Sequence, residues 1–185
     1  IRRDSIMAYK QHFIEWFSGK GILDIWVGNG VSMANSIDGG LNINAGQIGF
    51  DTGSTHKGAN FSHTGCKMIS VMKINQTGDA FSMFHGMTRE IYSNNGFYVA
   101  LPNSNSYFKL GSYQGTSTGA ETTSTKALDT DWHKFDLGTD GTTMTMVIDD
   151  VTETTRTSYH PADSMFPFSK HSASGNLRYL ECYNT

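Results

Sequence analysis

At 185 residues the chain suits one domain built around one core. Aromatic residues at 12% against only 17% charged residues fit a sheet protein whose surface is coated by Thr, Ser and Asn. A formal net charge of −3, with no basic run, excludes binding to nucleic acid by phosphate neutralisation, and no apolar run of about 18 residues is present to span a membrane.

Residues 1–11 read as a lead-in and residues 12–185 as a single sandwich domain. Ile6, Tyr9, Phe13 and Phe17 recur at helical spacing, but Phe13, Glu15 and Phe17 also alternate at strand period, which favours a strand from His12. Gly19 and Gly21 break the chain, and 22–26 reads as one helical turn. Asp38-Gly39-Gly40 marks a turn before strands at 41–43 and 47–50. In 66–74, Ile69 and Val71 face one way and Met68 and Met72 the other, as in a central strand covered on both sides. A strand at 80–86 follows. Asn94-Asn95-Gly96 predicts a tight hairpin between 90–92 and 97–101, since Asn-Gly tolerates positive φ.

A strand at 107–113 precedes a small polar loop at 115–120. Further on, Trp132, Lys134 and Asp136 alternate with His133, Phe135 and Leu137. Asp140-Gly141 turns the chain, after which Met144, Met146 and Ile148 share one face. In the last segment Leu177, Tyr179 and Glu181 alternate with Arg178, Leu180 and Cys182. Short strands in regular succession, with no long helical run between them, predict an all-β antiparallel two-sheet sandwich and not an α/β fold. Cys66 and Cys182 lie in predicted strands far apart in sequence. They are either two buried thiols or one disulfide tying the last strand to an early one, and a bridge implies an oxidising, extracellular setting.

Several segments carry a family resemblance. They are Phe17-Ser18-Gly19 with Leu23-Asp24-Ile25-Trp26; Asp38-Gly39-Gly40-Leu41-Asn42-Ile43; and Leu128-Asp129-Thr130-Asp131-Trp132-His133-Lys134-Phe135, followed by Asp140-Gly141-Thr142 and Met146-Val147-Ile148-Asp149-Asp150. Residues 161–168 with Leu177-Arg178-Tyr179-Leu180-Glu181 complete the series. Together they resemble the concanavalin A-like (laminin-G-like) lectin/glucanase family over nearly the whole chain. In that family a Trp-His strand precedes a hairpin whose second strand ends in Ile-Asp-Gly; here Asp150 stands in place of the glycine. The resemblance implies a jelly-roll sandwich with the last strand in the same sheet as 66–74, which makes a Cys66–Cys182 bridge sterically reasonable. Its motifs are structural and imply fold more than activity.

The enzymes of that family set the first tests of chemistry. Laminarinase-type members carry Glu-x-Asp-x-x-Glu on one strand, where paired carboxylates flank a glycosidic bond. This chain has no such triplet. Alginate-lyase-type members carry a Tyr-Phe-Lys-Ala-Gly strand, which Tyr107-Phe108-Lys109-Leu110-Gly111 resembles, and the lyase reading requires Arg89, His85 and Tyr107 to converge in a cleft. No cofactor is required by any motif, and the seven histidines form no tight ligand pair. Calcium is the ion the resemblance implies, with Asp129, Asp131, Asp149 and Asp150 as candidate ligands in a spacing unlike an EF-hand loop.

Sugar recognition needs flat rings and nearby amides. Tyr92, Asn94, Asn95, Tyr98, Tyr107 and Tyr113 supply both in adjacent segments, although the same residues also serve to pack a sheet edge and make turns. The leading expectation is a non-catalytic glycan-binding or adhesion domain, at work outside the cell, on a cell surface or on a virion. One alternative is a structural virion decoration or surface-layer module; another is a polysaccharide lyase or glycoside hydrolase. The partners expected are carbohydrate or a neighbouring surface protein, a second copy of the chain included.

Overall fold

A computed structural model describes residues 12–16, 26–29, 40–43, 47–50, 61–75, 83–89, 95–101, 106–114, 118–171 and 175–185. The strands are β1 (His12–Trp16), β2 (Trp26–Asn29), β3 (Leu41–Ile43), β4 (Gln47–Phe50), β5 (Cys66–Ile74), β6 (Met83–Thr88) and β7 (Gly96–Leu101), followed by β8 (Tyr107–Gln114), β9 (Thr118–Ala127), β10 (His133–Thr139), β11 (Met144–Ile148), β12 (Val151–Arg156), β13 (Phe166–His171) and β14 (Gly175–Asn184). Sheet A runs β1–β14–β5–β10–β11–β12, with β3 also paired to β14; sheet B runs β2–β4–β13–β6–β7–β8–β9. Every strand pairing is antiparallel. No helix occurs among the described residues.

Alternation along the strands builds the core. On β5 Cys66, Met68, Met72 and Ile74 are buried while Ile69 and Val71 are half-buried on the outer face. On β10 His133, Phe135 and Leu137 turn inward, and on β11 Met144, Met146 and Ile148 do so. Phe61, Phe97, Phe108, Phe135 and Phe166 fill the space between the sheets together with several methionines, whose unbranched chains adapt to irregular gaps. Each large side chain buried this way stabilises the fold by about 1.5–3 kcal/mol relative to exposure.

Three features depart from the alternation and loops expected. On β14 the register shifts between Leu177 and Tyr179, so Arg178 is the extra residue. The bulge resets the phase: Leu177, Leu180 and Cys182 are buried, and exposed Arg178 is carried over the Trp132 ring, 3.9 Å from its centroid. The segment read as a loop at 115–120 is strand from Thr118 onward, as the edge strand β9. A polar edge strand shows no apolar alternation to betray it.

The Asn94–Gly96 hairpin is also corrected. β7 pairs with β6, with Thr88 opposite Gly96, and Arg89 N donates to Asn95 O at 2.9 Å, so the connection is longer than a two-residue turn. The glycine at 96 serves close approach, since a Cβ there would overlap the Met87 carbonyl. The Asp140-Gly141 turn does form, with Gly141 at φ 92° and the Asp140 carboxylate accepting from the amides of Thr142 and Thr143.

One edge of the sandwich is closed by side chains. Between β8 and β9 the register shifts between Tyr107 and Lys109, and the amides of Thr125 and Lys126 donate to the Glu153 carboxylate of β12 at 2.9 and 2.8 Å. Nearby, buried Arg156 of β12 donates to Ser112 of β8, Thr122 of β9 and Ser158.

Candidate functional site: the outer face of sheet B

Phe97, Val99 and Leu101 of β7 enter the main core, so the period of two sends Tyr98 and Ala100 to the other side of sheet B. There they form a second cluster with Phe168, joined by half-buried Phe84 and Tyr113. The Tyr98 ring meets Phe84 edge-on at 5.2 Å and Tyr113 in a stacked arrangement at 5.4 Å and 29°.

Glycines make room for these rings. Tyr98 stands between Gly86 on β6 and Gly111 on β8, and Tyr113 stands between Gly96 on β7 and Gly119 on β9. A Cβ at Gly111 would overlap the Tyr98 ring, and one at Gly119 would overlap the Tyr113 ring. Each phenol therefore lies across a bare neighbouring strand. The Tyr98 hydroxyl is buried, with no well-formed hydrogen bond among the described residues. Burial, with Tyr113 beside it, pushes its pKa well above the ordinary tyrosine value. Next to the rings Lys109 pairs with Glu121 at 3.3 Å. Glu121 is the single carboxylate on the seven strands of sheet B.

The sequence candidates separate in space. Tyr98 and Tyr113 come together as described. Tyr107 is 44% exposed but sits at the opposite end of β8, about 20 Å from Tyr113 at the usual rise per strand residue. Asn95 is buried and structural: its Nδ2 donates to Asp163 Oδ2 at 2.6 Å and its Oδ1 accepts from Ala162 N at 3.2 Å, pinning the approach to β13. Tyr92 and Asn94 lie outside the described residues. Phe84, Phe168 and the Lys109–Glu121 pair escaped the sequence reading; the spacing of glycines opposite tyrosines on neighbouring strands was the signal available.

The groups required by a lyase do not converge. His85 points into the core, hydrogen-bonded to Ser169 Oγ at 3.1 Å and to Ser70 Oγ at 2.8 Å, while Arg89 pairs with Asp163 at 2.9 Å and Tyr107 stands apart.

The aspartate candidates gather around bases. Asp149 Oδ2 lies 2.6 Å from His133 Nδ1, and Asp129 Oδ1 lies 2.7 Å from His133 Nε2. Lys126 adds a cation 3.5 Å from Asp129 and 3.9 Å from Asp149, and Asp150 pairs with Lys134 at 2.6 Å. Burial acts to raise the Asp129 carboxyl, but the Asp131 amide and the His133 ring outweigh it and hold it below the usual range; Asp149 is lowered in the same way, by the Lys134 amide and His133. Asp131 is exposed, and its amide donates to Asp129 Oδ1 at 2.8 Å. Among the described residues no group of three or more His, Cys, Asp or Glu side chains is arranged to hold a metal ion.

Cys66 and Cys182 are free, buried thiols instead of a bridge. They share sheet A, but Cys66 stands opposite Asn184 and Cys182 opposite Met68. The two are diagonal neighbours, a relation that holds residues about 7–8 Å apart, beyond the usual span of a disulfide.

No family model and no curated protein sequence matches the chain. Solved structures do. A glycoside hydrolase family 16 endo-glucanase from Bacteroides ovatus superposes with a TM-score of 0.70 at 13% identity, over 92% of this chain and 99% of that one. The apo Crh5 transglycosylase gives 0.69 at 12% identity over 95% of this chain and 85% of that one. A beta-1,3-glucanase from Mycobacterium marinum gives 0.67 at 12% identity over 92% and 97%. Identities this low speak to architecture, and the architecture is that of the concanavalin A-like jelly-roll sandwich.

Proposed function

We propose that this chain is a non-catalytic recognition domain that binds carbohydrate on the outer face of sheet B. The observation that carries the reading is the Tyr98–Tyr113 stack. Tyr98 is buried beneath it on a bed of glycines, and half-buried Tyr113 is the ring of the pair that stays accessible. A flat, partly exposed ring accepts the C–H face of a sugar. Lys109 and Glu121 beside it offer a donor and an acceptor to ring hydroxyls.

The non-catalytic part rests on the carboxylates. Glycoside hydrolysis by the common routes needs two, about 5–9.5 Å apart. The strands of sheet B bring one, Glu121, and it is engaged by Lys109. The structural neighbours are named as glucanases and a transglycosylase, which supports carbohydrate as the ligand class. A setting outside a cell, at a cell or virion surface, belongs to the same proposal, because extended polysaccharide is met there.

A second reading, a module that contacts neighbouring subunits, is favoured by one observation. Trp16 and Ile14 are 67% and 46% exposed on β1, which ends sheet A. Glycan binding by the monomer, measured beside its sedimentation behaviour, separates the two. Retention on polysaccharide that weakens at least tenfold in Tyr113→Ala supports recognition; concentration-dependent assembly without retention supports the second reading.

A further inference from the structure

The outer face of sheet A carries a hollow of about 380 Å³ that no part of the reading above uses. That volume lies within the range of small-ligand sites, about 300–1,000 Å³. Its position follows from the register. Lys67 of β5 stands opposite Gly138 of β10, which stands opposite Thr145 of β11, while the next row holds Ile69, Asp136 and Val147. Gly138 brings no side chain to the middle of its row, and the hollow opens there between Lys67, Asp136, Thr145, Val147 and Thr185.

The chemistry of the lining is selective. Lys67 Nζ meets Asp136 Oδ2 at 2.9 Å. A donor and an acceptor thus stand side by side as a pair, and the lining also holds the Asp140 carboxylate, which accepts from the Thr142 and Thr143 amides. Threonine hydroxyls and methyls, the Val147 side chain and the Lys67 stem complete the wall. An inorganic anion entering the hollow meets two carboxylates, Asp136 and Asp140, against one ammonium. A metal ion meets that ammonium. An acyl chain strips water from the Lys67–Asp136 pair without replacing it. A neutral pyranose matches the mixed lining best: its C–H face covers the methyls, and its hydroxyls give to Asp136 and accept from Lys67.

We propose that this hollow is a second saccharide site, taking one neutral sugar unit, on the face of the sandwich opposite Tyr98. It does not require the Tyr98 face to bind. Where both bind, one polysaccharide or two strands engage the domain from both sides, and retention on a polymer exceeds that on its oligomers by effective concentration.

The test is a titration of isotope-labelled protein with neutral gluco-, manno- and galacto-configured tetrasaccharides, read by amide NMR shifts. The proposal expects saturable shifts at Lys67, Gly138 and Thr145 with at least one of these probes. Asp136→Ala weakens that set of shifts about tenfold, as loss of a hydrogen bond to a charged group does, and Gly138→Val abolishes it by filling the hollow. Both variants leave shifts at Gly111 and Gly119 intact, and an unchanged amide spectrum elsewhere shows that they fold. Shifts confined to Gly111 and Gly119 overturn this site and leave the Tyr98 reading standing. Shifts at Gly138 alone support this site and overturn the other. Silence of both sets with all three probes overturns both.

Discussion

His85 Nε2 lies 2.8 Å from Ser70 Oγ, and this hydrogen bond joins sheet B to sheet A through the middle of the core. The other ring nitrogen reaches Ser169 Oγ at 3.1 Å, and Ser169 in turn lies 2.7 Å from His171 Nε2. Burial pushes both histidines down to about 3. Between that value and about 6.5 the unfolded chain takes up protons that the folded chain does not. The stability conferred by these residues is therefore whole above about pH 6.5 and falls as the pH drops toward 3. The slope is on the order of 1 kcal/mol per pH unit for each histidine. Urea unfolding between pH 4 and 7 measures it. His85→Gln should halve the slope, and a stability that stays flat across that window contradicts the arrangement.

The turn at Asp149 and Asp150 gives a second prediction. Both residues adopt positive φ, 51° and 66°. A left-handed conformation costs a non-glycine residue roughly 1–2 kcal/mol, and the Asp150–Lys134 pair is exposed and worth little. Asp150→Gly should stabilise the protein by about 0.5–1 kcal/mol. Asp149→Ala should destabilise it by about 1–2 kcal/mol, since it keeps the strain and removes the contacts with the His133 ring and the Lys134 amide. Thermal unfolding of the two variants, moving in opposite directions, checks both.

A third prediction concerns the glycine bed. Gly111→Ala drives a methyl into the buried Tyr98 ring and should cost about 1–3 kcal/mol. Gly119→Ala presses on Tyr113, which is half-buried and able to swing outward, so its cost should be the smaller of the two. If the order is reversed, the rings do not lie across these strands as described.

The thiols supply a fourth. Burial pushes Cys66 up to about 12 and raises Cys182 well above its ordinary value. Iodoacetamide at pH 8 should leave the folded protein unmodified and label both cysteines in denaturant, as counted by intact mass. Absence of labelling in denaturant without reductant indicates a bridge and contradicts the free-thiol arrangement.

Much of the scaffold was legible because alternation is a local property. Met144, Met146 and Ile148 show their inward face in the sequence, and so do His133, Phe135 and Leu137. The Arg178 bulge was not legible, since one inserted residue looks like ordinary alternation until the partner strand is known. Strand β9 was hidden by its polar edge composition. At the candidate site, Tyr98 and Tyr113 were visible as residues but not as a pair, because the register that sets one beside the other is a tertiary property. The structural role of Asn95 was hidden for a related reason: its amide donates to Asp163, far away in sequence. Asp129 and Asp149 stood out in the sequence as candidate calcium ligands; their attachment to the His133 ring and to Lys126 was not legible, because it depends on how the β11–β12 turn folds back.

The central claim, recognition of carbohydrate without turnover at the Tyr98–Tyr113 surface, is tested most directly by affinity electrophoresis through gels containing neutral polysaccharides, with reducing ends assayed in parallel. The predicted result is retardation of the wild-type protein in at least one gel, weakened about tenfold or more in Tyr113→Ala, with no new reducing ends. Migration unaffected by every polysaccharide, or release of oligosaccharide by the wild-type protein, would contradict it.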